Sequence, residues 1–151
     1  MSKLVITLAI VLVVFGRPAV ADEQTDVMVP VRQFIEGFNK SDLKMAENAC
    51  GDDALIIDDF PPHVWHGTGA VAKWFNAFQG YAKTNSVHEA VVTLDKPKHV
   101  DVTGADAYVV VPAGLRMKKK EETVNETGVM TLVLHKAANG WRITAWSWAD
   151  N

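Results

Sequence analysis

The spacing of hydrophobic positions changes partway along the chain. Between about residues 27 and 82 apolar side chains recur every three or four positions, whereas beyond residue 87 they alternate with polar ones. The first spacing is typical of helices with one buried face and the second of strands with one buried face. The sequence therefore predicts an α+β domain, in which a helical part is followed by a sheet.

Three helices and two short strands are predicted in the first part. Ser41 or Asp42 can cap the second helix, and Gly67-Thr68-Gly69 opens the third. Pro30 falls in the first turn of the first helix, where it is tolerated. The predicted helices are 27–39, 43–49 and 67–82, and the strands between the last two are 55–58 and 64–66.

Turn-forming residues divide the second part into an antiparallel meander. We expect turns at 96–97, 103–104, 112–114, 126–128 and 139–140, separating strands at 88–94, 98–102, 107–111, 115–124, 129–136 and 141–148. The charged run 118–122 is interpreted as a solvated hairpin. The three helices should pack in the concave face of this strongly curved, mainly antiparallel sheet.

The first 21 residues have the features of a secretory signal. Lys3 precedes an apolar run at 4–15, a break at 16–18 and the small-residue cleavage motif Ala19-Val20-Ala21. We therefore expect residues 1–21 to be removed and 22–151 to form one exported domain, periplasmic or secreted. The run is shorter than the roughly 20 residues of a spanning helix, so no permanent membrane anchor is expected.

Composition excludes several kinds of partner. The whole chain carries a formal charge of −3, and loss of Lys3 and Arg17 with the signal would leave −5, which disfavours nucleic acid or an anionic membrane. Cys50 is the only cysteine and cannot form an internal disulfide. Stability must come from packing, to which five Trp and six Phe contribute. No motif calls for a cofactor.

Asp58 is the strongest candidate for chemistry. It ends a short apolar strand, and alternation places Asp58 and Asp59 on opposite faces, so that with Ile56 inward Asp58 also points inward. A carboxylate in an apolar interior has a raised pKa and can act as a general base. The alternative is a solvated aspartate that ends the strand and caps the next turn.

Two histidines follow this aspartate. His63 and His66 could join Asp58 or Asp59 as a two-histidine, one-carboxylate metal site. They flank Pro61-Pro62 and a short strand rather than sharing a helix face, so no metal site is predicted. His66 is instead expected at the rim of a pocket, where it could relay a proton.

Four segments carry a resemblance to a known family. FNKSDL (38–43), GDDALIIDD (51–59), HGTGAVAKWF (66–75) and NGWRI (139–143) occur in the order and spacing of the nuclear transport factor 2-like superfamily. This superfamily folds as an α+β cone and includes ketosteroid isomerases and polyketide-cyclase-like proteins. The resemblance covers nearly all of the chain after the signal and implies the same cone.

The resemblance also implies roles for individual positions. Asp58 falls where ketosteroid isomerases have their catalytic base. Their oxyanion tyrosine would fall on Phe34, their supporting tyrosine near Phe75, and their oxyanion aspartic acid near Leu132, with Thr131 the closest polar side chain. Because Phe and Leu donate no hydrogen bond, steroid isomerisation is not expected.

Aromatic residues suggest both a cavity and a partner surface. A cavity for a small apolar ligand could be lined by Phe34, Phe38, Trp65, Trp74, Phe78 and Tyr108, which could equally be core. Alternation along the last strand puts Trp146 and Trp148 on one face and Trp141 on the other. An aromatic outer face would favour a homodimer, and members of the resembled superfamily commonly dimerise through that face.

Three functional hypotheses remain open from sequence. The chain could be an enzyme in which Asp58 abstracts a proton during isomerisation, dehydration or cyclisation. It could bind a small apolar molecule without chemistry, or it could be a dimeric association module with a filled cone. The side-chain direction of Asp58 and the presence of a cavity distinguish them.

Overall fold

The computed structural model describes residues 19–151, with side chains from residue 23. Three helices pack against a curled, unclosed and mostly antiparallel sheet of seven strands, which confirms the predicted α+β cone. The elements are α1 (Ala19–Asn39), α2 (Leu43–Ala49), β1 (Cys50–Ile57), β2 (Val64–Trp65), α3 (Ala70–Thr84), β3 (Val87–Leu94), β4 (His99–Thr103), β5 (Asp106–Lys119), β6 (Glu122–Ala137) and β7 (Gly140–Asp150).

The predicted signal segment lies outside the described residues, apart from 19–21 at the start of α1. Within the described part, no helix is both long and apolar enough to span a bilayer. The first helix thus begins eight residues before its predicted start, whereas α2 has the predicted bounds. Its cap is Asp42, whose Oδ1 accepts a hydrogen bond from the Met45 backbone at 3.0 Å.

The order of strands places the first strand beside the last one. The sheet runs β2-β1-β7-β6-β5-β3, with β4 also paired to β5. Only the β1–β7 pair is parallel, which brings the end of β1 beside the second half of β7: Ile56 pairs with Trp146. The residues that follow β1 therefore lie next to the last strand.

Two predicted turns are wrong, because β5 and β6 are longer than expected. Pro112 lies inside β5 at the point where that strand exchanges β4 for β3 as its neighbour. The Pro112 carbonyl accepts a hydrogen bond from the Asp95 backbone N–H at 2.9 Å. Proline has no N–H to donate, and this is tolerated here because Pro112 faces the gap between β3 and β4. The actual turn between β5 and β6 lies at Lys120 and Glu121, within the predicted charged hairpin.

Gly128 is also inside a strand rather than in a turn. A Cβ at this position would lie 2.6 Å from the ring of Trp148 and 2.8 Å from the Ala149 carbonyl oxygen. Glycine is therefore required by close packing across β6 and β7, not by a change of chain direction.

A bulge in β7 overturns the predicted division of its side chains. Leu134 pairs with Ile143 and Val133 with Ala145, so Thr144 is an extra residue. Its Oγ1 donates to the Val133 carbonyl at 3.2 Å. The bulge shifts the alternation by one, so that Trp141, Ile143 and Trp146 are all buried on the inner side. The expected aromatic outer face of β7 is therefore absent.

The helices are fixed over the concave face by packing and by polar contacts, among them a paired hydrogen bond at the end of α1. The Asn39 side chain, at the end of α1, donates to the Val92 carbonyl and accepts from the Val92 N–H, both at 2.8 Å. This pair ties α1 to the edge strand β3. The largest fully buried side chains come from both layers: Phe34, Ile56, Leu132, Leu134, Ile143, Val27, Val31, Val109 and Val111.

Candidate functional site

A cavity of about 60 Å³ lies between α1, α3 and the inner face of the sheet. This volume is far below the roughly 300–1,000 Å³ of drug-sized ligand sites, so in this conformation the cavity admits only a small molecule. Asp58 and the exposed Asp59 mark its polar end. The complete lining is Phe34, Ile35, Phe38, Asp58, Asp59, Phe60, Trp74, Phe78, Val92, Leu115, Met130, Trp146 and Trp148.

Asp58 lies in the cavity wall directly after β1, as alternation from Ile56 predicts. Its Oδ2 accepts a hydrogen bond from Trp74 Nε1 at 2.7 Å, and its Oδ1 accepts one from the Asp59 backbone at 2.9 Å. The Asp58 backbone is held by His63, whose carbonyl accepts the Asp58 N–H at 3.0 Å. The carboxylate is thus fixed in one orientation by α3 and by the turn before β2.

Burial dominates the electrostatics of this carboxyl group. Asp58 is half-buried, and removal from water raises its pKa from 3.8 to about 6, while the hydrogen bonds from Trp74 and the Asp59 backbone act to lower it. A carboxylic acid with a pKa near 6 exchanges protons close to neutral pH, as a general base must. Asp58 therefore meets both requirements for proton transfer, orientation and a raised pKa.

Aromatic rings form most of the remaining wall. Trp74 is central: its ring centroid lies 5.5 Å from that of Phe34, 5.7 Å from Phe38 and 5.1 Å from Trp146. Phe78 lies 5.0 Å from Phe38. The Nε1–H of Trp146 is buried and has no hydrogen-bond partner among the described residues. It is the one unpaired side-chain donor in this wall.

The structure brings together four of the six predicted lining residues with Asp58. Phe34, Phe38, Trp74 and Phe78 line the cavity. Trp65 is buried behind it, where its ring packs on Phe60 at 5.0 Å. Tyr108 lies on the outer face of the sheet, 44% exposed, with its ring 5.9 Å from that of His99.

His66 is not part of the lining. Its side chain is exposed beyond β2, whereas His63 is the histidine that approaches Asp58, with Nδ1 at 3.1 Å from the Asp58 carbonyl oxygen. His63 therefore supports the turn and does not reach the carboxylate. Within residues 19–151, no three His, Cys, Asp or Glu side chains cluster in a way that could hold a metal ion.

Positions that carry oxyanion donors in the resembled isomerases are apolar here. Phe34 and Phe75 are buried and Leu132 is fully buried, while Thr131 lies on the half-exposed opposite face of β6. Among the described lining side chains, the indole N–H of Trp146 is the one donor without a partner, and it is fully buried in the wall.

Sequence reasoning missed the part of the wall that comes from the sheet and from the turn after β1. Trp146 and Trp148 occur two residues apart at the end of the chain, but their face depends on the bulge at Thr144. Phe60 follows the two acids, and its contacts with Phe78 and Tyr81 could not be read from local spacing. The Trp74 hydrogen bond to Asp58 spans sixteen residues and had no sequence signal.

The family model of the SnoaL-like domain matches residues 27–148, which is most of the chain and includes every element that builds this cavity. The chain belongs to the SnoaL-like domain family. No match is found among curated protein sequences.

Solved structures show the same fold as this SnoaL-like domain at low sequence identity. An NTF2-like superfamily protein from Salmonella enterica serovar Typhimurium is 18% identical, with a TM-score of 0.72 over 87% of this chain and 93% of that one. A ketosteroid isomerase-like protein from Erwinia carotovora atroseptica is 14% identical, with a TM-score of 0.68 over 85% and 96%. An NTF2-like protein with a cystatin-like fold from Novosphingobium aromaticivorans is 10% identical, with a TM-score of 0.72 over 87% and 83%.

Proposed function

We propose that this SnoaL-like domain binds a small, largely apolar molecule in the cavity beside Asp58 and that the Asp58 carboxylate accepts a proton from it. The observation that carries the proposal is the oriented, half-buried carboxylate with a pKa of about 6 in an aromatic wall. The buried, unpaired Trp146 N–H would donate to an oxygen of the substrate once the wall opens around this indole. Abstraction of a proton next to a carbonyl, as in isomerisation, dehydration or cyclisation, needs both groups.

The reaction can be tested without knowing the natural substrate. Small ketones incubated with the protein in heavy water should lose the ¹H NMR signal of their α-protons faster than in buffer. Asp58→Asn should abolish this acceleration, since an amide is no base. Asp101→Asn, a matched change at an exposed carboxylate on β4 outside the cavity, should retain it.

Trp74 supplies a second, independent readout. Trp74→Phe keeps an aromatic ring but removes the N–H that donates to Asp58 Oδ2. Because this hydrogen bond lowers the pKa of Asp58, the variant should shift the pH midpoint of exchange upwards. If the Asp58→Asn variant exchanges the α-protons of ketones at the wild-type rate, Asp58 is not the base.

A specific alternative is binding without chemistry. The described wall contains one unpaired hydrogen-bond donor. Enzymes that form an enolate usually stabilise its oxygen with more than one donor. Ligand binding that raises the melting temperature equally in wild type and Asp58→Asn, without proton exchange in either, would favour a carrier over an enzyme.

We also propose that two copies associate through the outer face of the sheet. One row of cross-strand neighbours on this face runs from Tyr108 through Val133 and Ala145 to Leu55, and a parallel row ends at Ile57 and Val64. Tyr108 is 44%, Val133 40% and Ile57 45% exposed. The first row is apolar throughout, whereas the second reaches Ile57 through Thr131 and Ser147. An exposed apolar row favours a partner. Export of the domain remains a prediction from residues 1–21.

A further inference from the structure

The ionisable side chains that line the cavity are both acidic. Among its lining residues only Asp58 and Asp59 are ionisable, and neither Lys, Arg nor His contributes to the wall. A ligand entering the cavity therefore meets carboxylates without a compensating cation in the wall.

Two further acids lie close to this end of the cavity. Burial raises the pKa of Glu126, and the neighbouring Asp59 and Asp150 carboxylates raise it further, which shows that the three acids interact. Asp150 is attached to the wall because its Oδ1 accepts a hydrogen bond from Trp148 Nε1 at 2.8 Å. Lys119 is the cation that acts on Glu126 and opposes this effect. The excess of negative charge remains.

The aromatic wall also favours a positively charged ligand. Each aromatic ring has a negative face, and a cation over such a face is attracted to it, most strongly where water is excluded. Phe34, Trp74 and Trp146 pack on one another with ring centroids 5.1–5.5 Å apart, and all three line the cavity. Aromatic rings and a carboxylate in one cavity wall are the components of sites that bind organic ammonium ions.

We propose that the ligand of this cavity is a small organic cation, an alkylated ammonium group whose positive charge lies beside Asp58 and against the aromatic wall. The inference rests on the proposed function in taking this cavity as the ligand site, and it adds the charge and class of the ligand. A bound cation would also offset the cost of holding an ionised Asp58 away from water. A carboxylate ligand of equal size would be repelled by the same groups.

A series of three small molecules with similar shapes and different charges tests the inference. Choline carries a trimethylammonium group, 3,3-dimethylbutan-1-ol is its uncharged carbon analogue, and 3,3-dimethylbutanoate is a related anion. Titration followed by tryptophan fluorescence and calorimetry should show choline binding about tenfold more tightly than the neutral alcohol. The anion should bind more weakly than the alcohol. Raised salt should weaken choline binding and leave that of the alcohol nearly unchanged.

Variants connect this selectivity to the cavity. Asp58→Asn should reduce choline affinity to about that of the alcohol without reducing alcohol binding. Asp101→Asn removes an exposed carboxylate from β4, outside the cavity, and should leave both affinities unchanged. Thermal melts of each variant establish that it is folded.

The outcomes separate this inference from the proposed proton transfer. Equal binding of choline and the alcohol, no binding of any of the three probes, or unchanged choline binding by Asp58→Asn would overturn the cationic ligand. Loss of proton exchange in Asp58→Asn would still support the base in each of those cases. If choline binds more tightly than the alcohol but the protein accelerates α-proton exchange in none of the ketones, the inference of a cationic ligand stands and the proposed proton transfer is rejected.

Discussion

The Asp58 carboxylate lies between an apolar cavity and a tight turn, and each of its oxygens accepts one hydrogen bond. These two bonds do not compensate for burial, because the pKa of Asp58 is still raised from 3.8 to about 6. Ionised Asp58 is therefore less stable in the folded chain than in the unfolded one. Residues that bind or react commonly lower the free energy of unfolding in this way, because their position is unfavourable for stability.

The pH dependence of stability follows from this shift. Between pH 3.8 and about 6 the folded chain binds more protons at Asp58 than the unfolded chain, so this group lowers the free energy of unfolding as pH rises. Below pH 3.8 both states are protonated and the contribution is absent. Above pH 6 the penalty is complete, at most about 3 kcal/mol.

Asp58→Asn should therefore stabilise the protein at neutral pH. Asparagine has no charge, and its oxygen can still accept from Trp74, although the bond from the Asp59 backbone is lost. We expect a gain of about 1–2 kcal/mol in the free energy of unfolding at pH 7.5 and none at pH 3.5, measured by urea denaturation. Asp101→Asn, which changes an exposed residue on β4 away from Asp58, is the control. A variant that is less stable than wild type at both pH values would show that the shift in pKa is not the dominant effect.

Helix α1 approaches α2 closely enough that one glycine is required by contact. A Cβ on Gly37 would lie 2.7 Å from the Ala46 nitrogen and 3.0 Å from the Asp42 carbonyl oxygen, both backbone atoms. Neither can move without separating the two helices. This junction also positions Phe34 and Phe38 above the sheet, so the close contact contributes to the geometry of the cavity.

Gly37→Ala and Gly80→Ala should have opposite effects on stability. Alanine favours a helix by about 1 kcal/mol over glycine, but at Gly37 the clash should reverse this and lower the free energy of unfolding by about 2 kcal/mol. Gly80 lies within α3 and has open space at its Cβ, so the same change there should add about 0.5–1 kcal/mol. Urea denaturation of both variants measures the difference. Equal stabilisation by the two changes would contradict the close packing of α1 on α2.

The proposed dimer predicts that a charge on the outer face weakens association. Val133 occupies the middle of the row formed by Tyr108, Val133 and Ala145. Val133→Lys would bury an ammonium group in the interface, so its dimer dissociation constant should rise at least about tenfold, measured by analytical ultracentrifugation. Gln79→Lys, an exposed change on α3, should leave association unchanged. A wild-type chain that is monomeric at high concentration would reject this interface.

Much of the architecture could be predicted from local pattern. The period of apolar residues located all three helices, and Asp42 and the residues after it defined α2 to the residue. Glycine and proline were less informative. Pro112 and Gly128 look like turn residues, yet Pro112 lies where β5 changes partners and Gly128 lies beneath the ring of Trp148. Both conditions depend on neighbouring strands and are invisible in a single segment.

Residue spacing along single helices and strands was enough to predict the class of fold and the order of its elements, and strand alternation gave an inward Asp58 as one of two possibilities. The surroundings of that carboxylate depend on tertiary contacts. The bulge at Thr144 turns Trp146 inward, the parallel pairing of β1 with β7 brings Asp58 beside it, and α3 supplies the indole N–H of Trp74. These contacts join residues far apart in the chain, so the aromatic, acidic cavity exists only once the sheet has curled around its helices.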